Sequence, residues 1–595
     1  MVSLDDQAAL AILGRADALM VDVMDALSCL DRSEVGFRTL RLGIAANITV
    51  DLLSTYLRRH AYLAGVRLLV AKGSYDDLLG DVQRHQASGV DLLLILPFFD
   101  NLQPSWESQL QNLDPSSCQK VQADYLGRLE LALQASQGIG QVVVLGAHLL
   151  YPHVASDGPQ QRCLDAFNAG LVDVVCRHPQ AKLVEMAGLL ARHGHANSID
   201  ARFYFRGKAP YTAGIIDRMA REVVFATRGF GSIFHKVLVL DCDNTLWGGI
   251  VGEDGPDGIA LDPYSFPGNI FWNVQQQLRA LEARGVLLCL CSKNNPADVD
   301  GVLEHHSAMV LRDAHFVAKK INWTDKPTNL RTLAAELNLG LESFVFIDDS
   351  LFEIEAVREQ LPQVTVFQVP KTLHDYPDLM REQVVPLFIA GGVSPESTSK
   401  TQQYLGLAKA TGLQTGFASQ EDYLQSLRLV VSLQRNMTAQ VGRISELIAK
   451  SNQFNLTTQR LLPGEVLALI ERADATVYSF SVNDRLAQHG LTGVLIILDE
   501  DDAVVVHSFL MSCRVIGRGI EFAIWRTVVA DALARGKRLL RASFLPTAKN
   551  AQVADFYDRL GLKRIREASD GSRFYEASLA DLALIDSVWV ELRDV

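Results

Sequence analysis

Cysteine is scarce: Cys29, Cys118, Cys163, Cys176, Cys242, Cys289, Cys291 and Cys513 are the only eight in 595 residues. None of them makes the paired spacing of a zinc site, and their scatter reads as a reducing cytoplasm. No uncharged apolar run reaches the ~20 residues that would span a bilayer, so no membrane partner is expected. The opening MVSLDDQAAL is acidic and lacks the basic-then-apolar order of a secretory leader, so none is expected. No basic arm or stripe offsets a net charge of −13, which argues against a nucleic-acid backbone as partner. Internal repeats and low-complexity tracts are absent too. What remains is a chain that is 48% hydrophobic and too long for one core, with three or four domains as the natural expectation.

Apolar residues at helical spacing in Ala8–Leu30 predict a helical segment over residues 1–35. Strand-like runs at Leu40–Ile44, Val66–Val70, Asp91–Pro97 and Gln141–Leu145 alternate with helical stretches, predicting a doubly wound parallel sheet over 36–228. A second α/β domain is expected over 229–378. The turn-rich GGVSPEST at Gly391–Thr398 marks a linker over 379–400. Residues 401–595 read as helices followed by antiparallel-looking strands.

The richest stretch is KVLVLDCDNTLWGG, Lys236–Gly249. Val237–Leu240 has the pattern of a buried parallel strand, and it delivers Asp241 and Asp243 to its carboxyl end, where open α/β sheets place their ligands. One carboxylate there can attack phosphorus while the other handles the proton, and together they can hold a divalent cation. A lone DxD is more often a polar turn. Here DxDxT, ending at Thr245, resembles the first motif of the haloacid-dehalogenase (HAD) phosphotransferases, and three further pieces follow in that family's order. VLLCLCS (Val286–Ser292) is a strand ending in a hydroxyl, with Asn295 and Pro296 as N-cap and first helical residue. Lys319, Lys320 and Lys326 offer the cation that neutralises phosphoryl oxygens. FVFIDD (Phe344–Asp349) ends in two acids that would complete a Mg²⁺ site of hard oxygen ligands. The short gap between Thr245 and Ser292 leaves no room for a large cap, so the expected fold is a capless HAD domain.

Two flanking resemblances follow. The first sheet zone is similar to an SGNH-hydrolase-like domain, but Ile44-Ala45-Ala46-Asn47 has alanine where the nucleophilic serine belongs, and neither Asp200 nor His148 has a nucleophile to serve. Catalytic degeneracy is the expectation. In the C-terminal zone the strand pattern Ala503–Met511 runs into SCRVIGRG and an apolar helix, Ile520–Arg535. RVIGRG resembles the phosphate-binding turn of GNAT-type acyltransferases, α+β proteins in which backbone N–H groups and a helix N-terminus receive the phosphate of coenzyme A or phosphopantetheine. That resemblance implies pantetheine contacts from Arg514, Gly517, Arg518, Gly519, Asn550 and Tyr557. Cys513 stands beside Arg514 and a helix start, both of which favour a thiolate. Cys242, between the two aspartates, is its rival.

LDCDNTLWGGIVGEDG, CSKNN, INWTDKPTNL, FVFIDDSLFE, SNQFNLTT and MSCRVIGRGIE together resemble FkbH-like glyceryltransferase/phosphatases. The resemblance implies an α/β multidomain enzyme that takes 1,3-bisphosphoglycerate, removes phosphate and loads a glyceryl unit onto an acyl carrier protein for polyketide assembly. It assigns Asp241, Asp243 and Cys513 to catalysis. Thr245, Ser292, Lys293 and Lys326 would bind phosphate, Lys326 being chosen over its neighbours by its NWxxKxxN context. Asp241, Asp243, Asp348 and Asp349 would hold Mg²⁺, with Asp243 contributing through its carbonyl. Ser350–Leu351 departs from the Asn-Pro expected after the paired acids. Two other readings remain: a phosphatase with a non-catalytic C-terminal module, and an acyl-CoA transferase acting on an amine, with His507 or Glu521 as base.

Overall fold

The computed structural model describes residues 4–15, 17–33, 37–112, 114–152, 158–227, 235–388, 400–401, 403–404, 420–485, 488–547, 549–582 and 584–595. The turn-rich stretch Gly391–Thr398 lies outside them. Among the described residues no helix is long and apolar enough to cross a membrane. The chain is mixed α/β, with two parallel sheets and a third, mainly antiparallel one.

Two compact units form. The first gathers Met1–Ser232 with Met437–Ala449 and Arg460–Arg472. Its sheet contains β1 (Arg38–Ala46), β2 (Val66–Tyr75), β3 (Leu92–Leu96), β4 (Gln141–Leu145) and β5 (Ala181–Val184), all parallel, in the order β2-β1-β3-β4-β5. β3 and β4 are buried along their whole length, as continuous apolar runs between two helical layers should be. At the end of β1 the Asn47 carboxamide accepts from Phe98 N–H (2.7 Å) and donates to Phe98 O (3.1 Å), tying β1 to the end of β3. No hydroxyl nucleophile occupies that strand end. Asp200 caps the short helix Ala201–Gly207 and pairs with Arg202. His148 is buried between Leu149 O and the Tyr211 hydroxyl, at 2.8 Å from each. The segments Met437–Ala449 and Arg460–Arg472 belong to this unit, and in the second of them Gly464 N–H donates to Gly140 O at 2.9 Å.

The second unit comprises Ile233–Asn436, Lys450–Gln459 and Ala473–Val595. It holds a parallel sheet of β6 (Val237–Leu240), β7 (Leu287–Ser292), β8 (Phe316–Ile321), β9 (Phe344–Asp348) and β10 (Thr365–Gln368), ordered β10-β9-β6-β7-β8. The chain runs outward from β6 to β8, then crosses back to β9, so the order reverses beside β6. Residues 379–388, expected to open a linker, are helical here and bury Met380, Val384 and Phe388 in this domain's core. Their spacing of four puts all three on one face.

The third sheet contains β11 (Leu429–Arg435), β12 (Phe454–Asn455), β13 (Ala475–Asn483), β14 (Gln488–Glu500), β15 (Ala503–Met511), β16 (Leu539–Phe544), β17 (Lys563–Glu567), β18 (Arg573–Ser578) and β19 (Val590–Asp594). The order is β17-β18-β16-β15-β14-β13-β11-β19. β15 and β16 are parallel but pair only over Ala503–Val505 and Leu539–Arg541. Beyond that they part, and β12 enters the gap. Phe454 and Asn455 pair with Met511 and Leu510, Leu456 N–H donates to Phe509 O (3.0 Å), and Leu545 N–H donates to Leu456 O (2.8 Å).

Candidate active site

Asp241, Asp348 and Asp349 meet at the carboxyl edge of the second sheet, where the strand order reverses and ligands of open α/β sheets bind. The local sequence explains the convergence. β6 and β9 are buried apolar strands in register, Leu240 opposite Ile347, and the first polar residue each can afford is the acid at its end. One carboxylate oxygen from each of the three acids lies within 4.8 Å of the others.

Lys326 enters from the start of helix Lys326–Leu337, which Asp325 caps through Thr328 N–H at 2.8 Å. Its Nζ donates to Asp241 Oδ1 (2.5 Å) and Cys291 O (2.6 Å) and lies 3.0 Å from Asp348 Oδ2. Burial alone would favour its neutral form, yet the two carboxylates hold it firmly protonated. Asp348 is pushed up to about 6 by burial and by the charge of Asp241, against the pull of Lys326. Asp349 is raised for the same two reasons. Asp348 Oδ2 is buried and faces Lys326 as an ion pair, with no well-aligned hydrogen bond among the described residues. Three carboxylates, each offering one hard oxygen within 4.8 Å of the others, fit a hard divalent cation.

Asp243 faces elsewhere. Its carboxylate accepts from Trp247 Nε1 (2.9 Å), Val251 N–H (3.1 Å) and Asn294 Nδ2 (2.8 Å). The side chain is thus outside the three-acid cluster, held by Trp247 and Asn294, contacts that strand patterns do not reveal. Asn244, directly after Asp243, adopts a left-handed backbone (φ 53°), and its side-chain oxygen accepts from Gly249 N–H. The Thr245 hydroxyl is buried without a hydrogen-bond partner among the described residues, and Ser292 is buried against the Cys242 thiol. Lys293 pairs with Glu353 at 2.6 Å. Burial and the neighbouring Asp241 push the Cys242 thiol well up, which makes it a poor nucleophile.

In the C-terminal sheet the expected pantetheine residues are largely engaged. Arg514 bonds Ser512 Oγ (3.0 Å) and Gln403, and Arg518 pairs with Asp484 at 2.6 Å. Asn550 donates to Asn455 O and Leu545 O, both at 2.9 Å, pinning β12 in the gap between β15 and β16. Tyr557 is buried among Trp525, Phe556 and Tyr575, its hydroxyl without a hydrogen-bond partner among the described residues. Gly517 and Gly519 have φ of 80° and 75°, a conformation that favours glycine, and Gly519 caps helix Ile520–Ala534. The backbone of Cys513 lies in the short helix Cys513–Val515, while its side chain is outside the described residues.

No family model and no curated protein matches the chain. Among solved structures it is similar to the N-terminal part of BF1531 from Bacteroides fragilis, described as containing a phosphatase domain complexed with Mg. The TM-score is 0.56 at 23% identity, over 62% of this chain and 99% of that one. At that identity the likeness shows the fold. A putative GNAT-family acetyltransferase from Desulfovibrio desulfuricans aligns over 25% of this chain and 99% of its own, with TM-score 0.21 and 16% identity.

Proposed function

We propose that this protein is a Mg²⁺-dependent HAD-type phosphatase coupled to acyl transfer. On this reading it takes 1,3-bisphosphoglycerate and loads a glyceryl unit as a thioester onto the phosphopantetheine arm of an acyl carrier protein. The observation that carries the phosphatase half is the set of Asp241, Asp348, Asp349 and Lys326 at the strand-order reversal.

Asp241, oriented by Lys326, attacks phosphorus to give an aspartyl phosphate, and the alkoxide leaves. Asp243, held by Trp247 and Asn294, gives that alkoxide its proton and then activates water on the opposite side. Lys326 balances charge on the phosphoryl oxygens. Mg²⁺ bound by Asp241, Asp348 and Asp349 would offset the remaining negative charge, a choice supported by the ion described in the Bacteroides protein. The acyl phosphate of the substrate is already an activated carboxyl group, so thiolate attack yields a thioester without ATP.

Support for a carrier-borne substrate comes from the surface. Tyr264, Trp323 and Phe352, on segments that leave the carboxyl edge of the sheet, are 88%, 71% and 76% exposed. A phosphatase with a non-catalytic C-terminal module is the second reading, and it is favoured by β12 filling the gap beside β15. The test of the phosphatase half is Asp241→Asn. The neutral amide attacks phosphorus poorly and weakens the cation site, so phosphate release from the ester should fall by at least ~1000-fold with the fold intact. Steady release by a well-folded variant would sink the assignment.

A further inference from the structure

Two cysteines meet in the first unit, outside the sites described above. Cys118 lies in the first turn of helix Pro115–Ala135, and Cys163 lies just past the first turn of helix Pro159–Cys176. Both belong to one apolar core beside the sheet: Cys163 is buried within it, and Cys118 packs against it while half-buried. Gln122 fixes the approach of the two helices. Its Nε2 donates to Cys163 O (2.5 Å) and to Cys163 Sγ (2.8 Å). Residues four apart share one face of a helix, so Cys118 and Gln122 look toward the same neighbour. Contact follows from that placement, and the Cys118 and Cys163 thiols are hydrogen-bonded to each other.

Small apolar packing accounts for one buried cysteine. It does not account for two thiols in contact with unequal access to solvent. Burial and the neighbouring thiol push Cys163 up to about 12, against the pull of the Gln122 donor, so Cys163 rests protonated. Cys118 is the member of the pair that solvent reaches. Metal binding does not use the pair: among the described residues no third metal-ligating side chain joins it, and two thiols fall short of a structural zinc site. A solvent-accessible thiol touching a buried one is the arrangement of a redox-sensing cysteine and the partner that resolves it.

We propose that Cys118 and Cys163 form a peroxide-responsive thiol pair, in which Cys118 meets the oxidant and Cys163 closes a disulfide between the two helices. The Cys118 sulfur attacks one oxygen of hydrogen peroxide, the O–O bond breaks, and the leaving hydroxide takes the thiol proton as water. Cys118 is then a sulfenic acid. The Cys163 sulfur attacks the Cys118 sulfur, the S–O bond breaks, and the Cys163 proton leaves with that hydroxide as a second water. Two thiols are oxidised to one disulfide, and one peroxide is reduced to two waters. The bridge encloses β4 in a covalent loop, and a dithiol reductant reopens it.

Peptide mapping of the full-length protein tests this. The reduced protein is treated with hydrogen peroxide, its remaining thiols are alkylated, and it is digested without reductant. A cross-linked peptide pair joining Cys118 to Cys163 within one chain should appear and vanish on dithiol treatment. The exposed Cys176 reports that peroxide has acted. Trapping with dimedone should label Cys118 in Cys163→Ser, and should label Cys163 in Cys118→Ser at least ~10-fold less, because a thiol pushed up this far carries little thiolate. The bridged wild type should also unfold at a midpoint several degrees higher than the reduced protein. Cys118 and Cys163 both left alkylatable after Cys176 has been oxidised would overturn the proposal, and this reading needs no variant to fold. Cys118 found only as a sulfinic acid, or bridged only to another chain, overturns it too. Equal dimedone labelling in the two variants overturns the order of reaction, and a lower midpoint in the bridged protein overturns the claim that the folded state already holds the thiols together.

Discussion

Single side chains in this protein are ionised or neutral according to what surrounds them. Lys326 stays charged in a buried place because two carboxylates touch it, whereas His148, held by Leu149 O and the Tyr211 hydroxyl, has no acid hydrogen-bonded to it among the described residues and stays neutral. Burial depresses the His148 imidazole from its ordinary 6.5 to about 4. The unfolded chain therefore binds the extra proton first, and stability rises with pH across that window. His148 imposes no penalty above about 6.5, and the first unit should lose up to about 3 kcal/mol on this account as pH falls toward 4. Denaturation midpoints measured from pH 7 to pH 4 should show this loss in the wild type and less of it in His148→Gln. Parallel pH profiles for the two proteins would contradict it.

At the level of elements, loops and turns carry what the strands only position. The segments leaving β8 and β9 expose Trp323 and Phe352 around the three-acid site. If they receive a carrier protein, Trp323→Ala and Phe352→Ala should raise KM for a carrier-bound phosphate ester several-fold, with little change for a small ester. Equal effects on both substrates would remove the docking role. The turn before helix Ile520–Ala534 depends on its glycine: a Cβ on Gly519 would lie 3.1 Å from both Ser587 Oγ and Trp589 Cζ2, at a φ that side chains avoid. Gly519→Ala should cost about 1 kcal/mol or more, read as a lower unfolding midpoint of the second unit. An unchanged midpoint would mean that the turn relaxes freely.

Across the whole molecule, legibility followed sequence distance. β4, β6 and β15 could be read to the residue because each is an unbroken apolar run with polar or turn-forming neighbours. Asp241, Lys326 and Asp348 could be assigned together because DxD, lysine and paired acids follow strands in a familiar order. The seat of β12 could not be read, since two residues carry no periodicity and their partners lie on β15. Asp484 and His489 escaped notice because nothing about their spacing announces a hydrogen bond across a strand connection. That Met437–Ala449 and Arg460–Arg472 belong with the first sheet was hidden for the same reason, as their neighbours are hundreds of residues away.

The central claim joins dephosphorylation to acyl loading, and intact mass of the carrier tests it most directly. The protein is incubated with Mg²⁺, 1,3-bisphosphoglycerate and a pantetheinylated acyl carrier protein, and the carrier is weighed. The account predicts a carrier heavier by one glyceryl unit, with loading lost in Cys513→Ala while that variant still releases phosphate. A carrier of unchanged mass, alongside steady Mg²⁺-dependent phosphate release by the wild type, would contradict the account and leave a phosphatase alone.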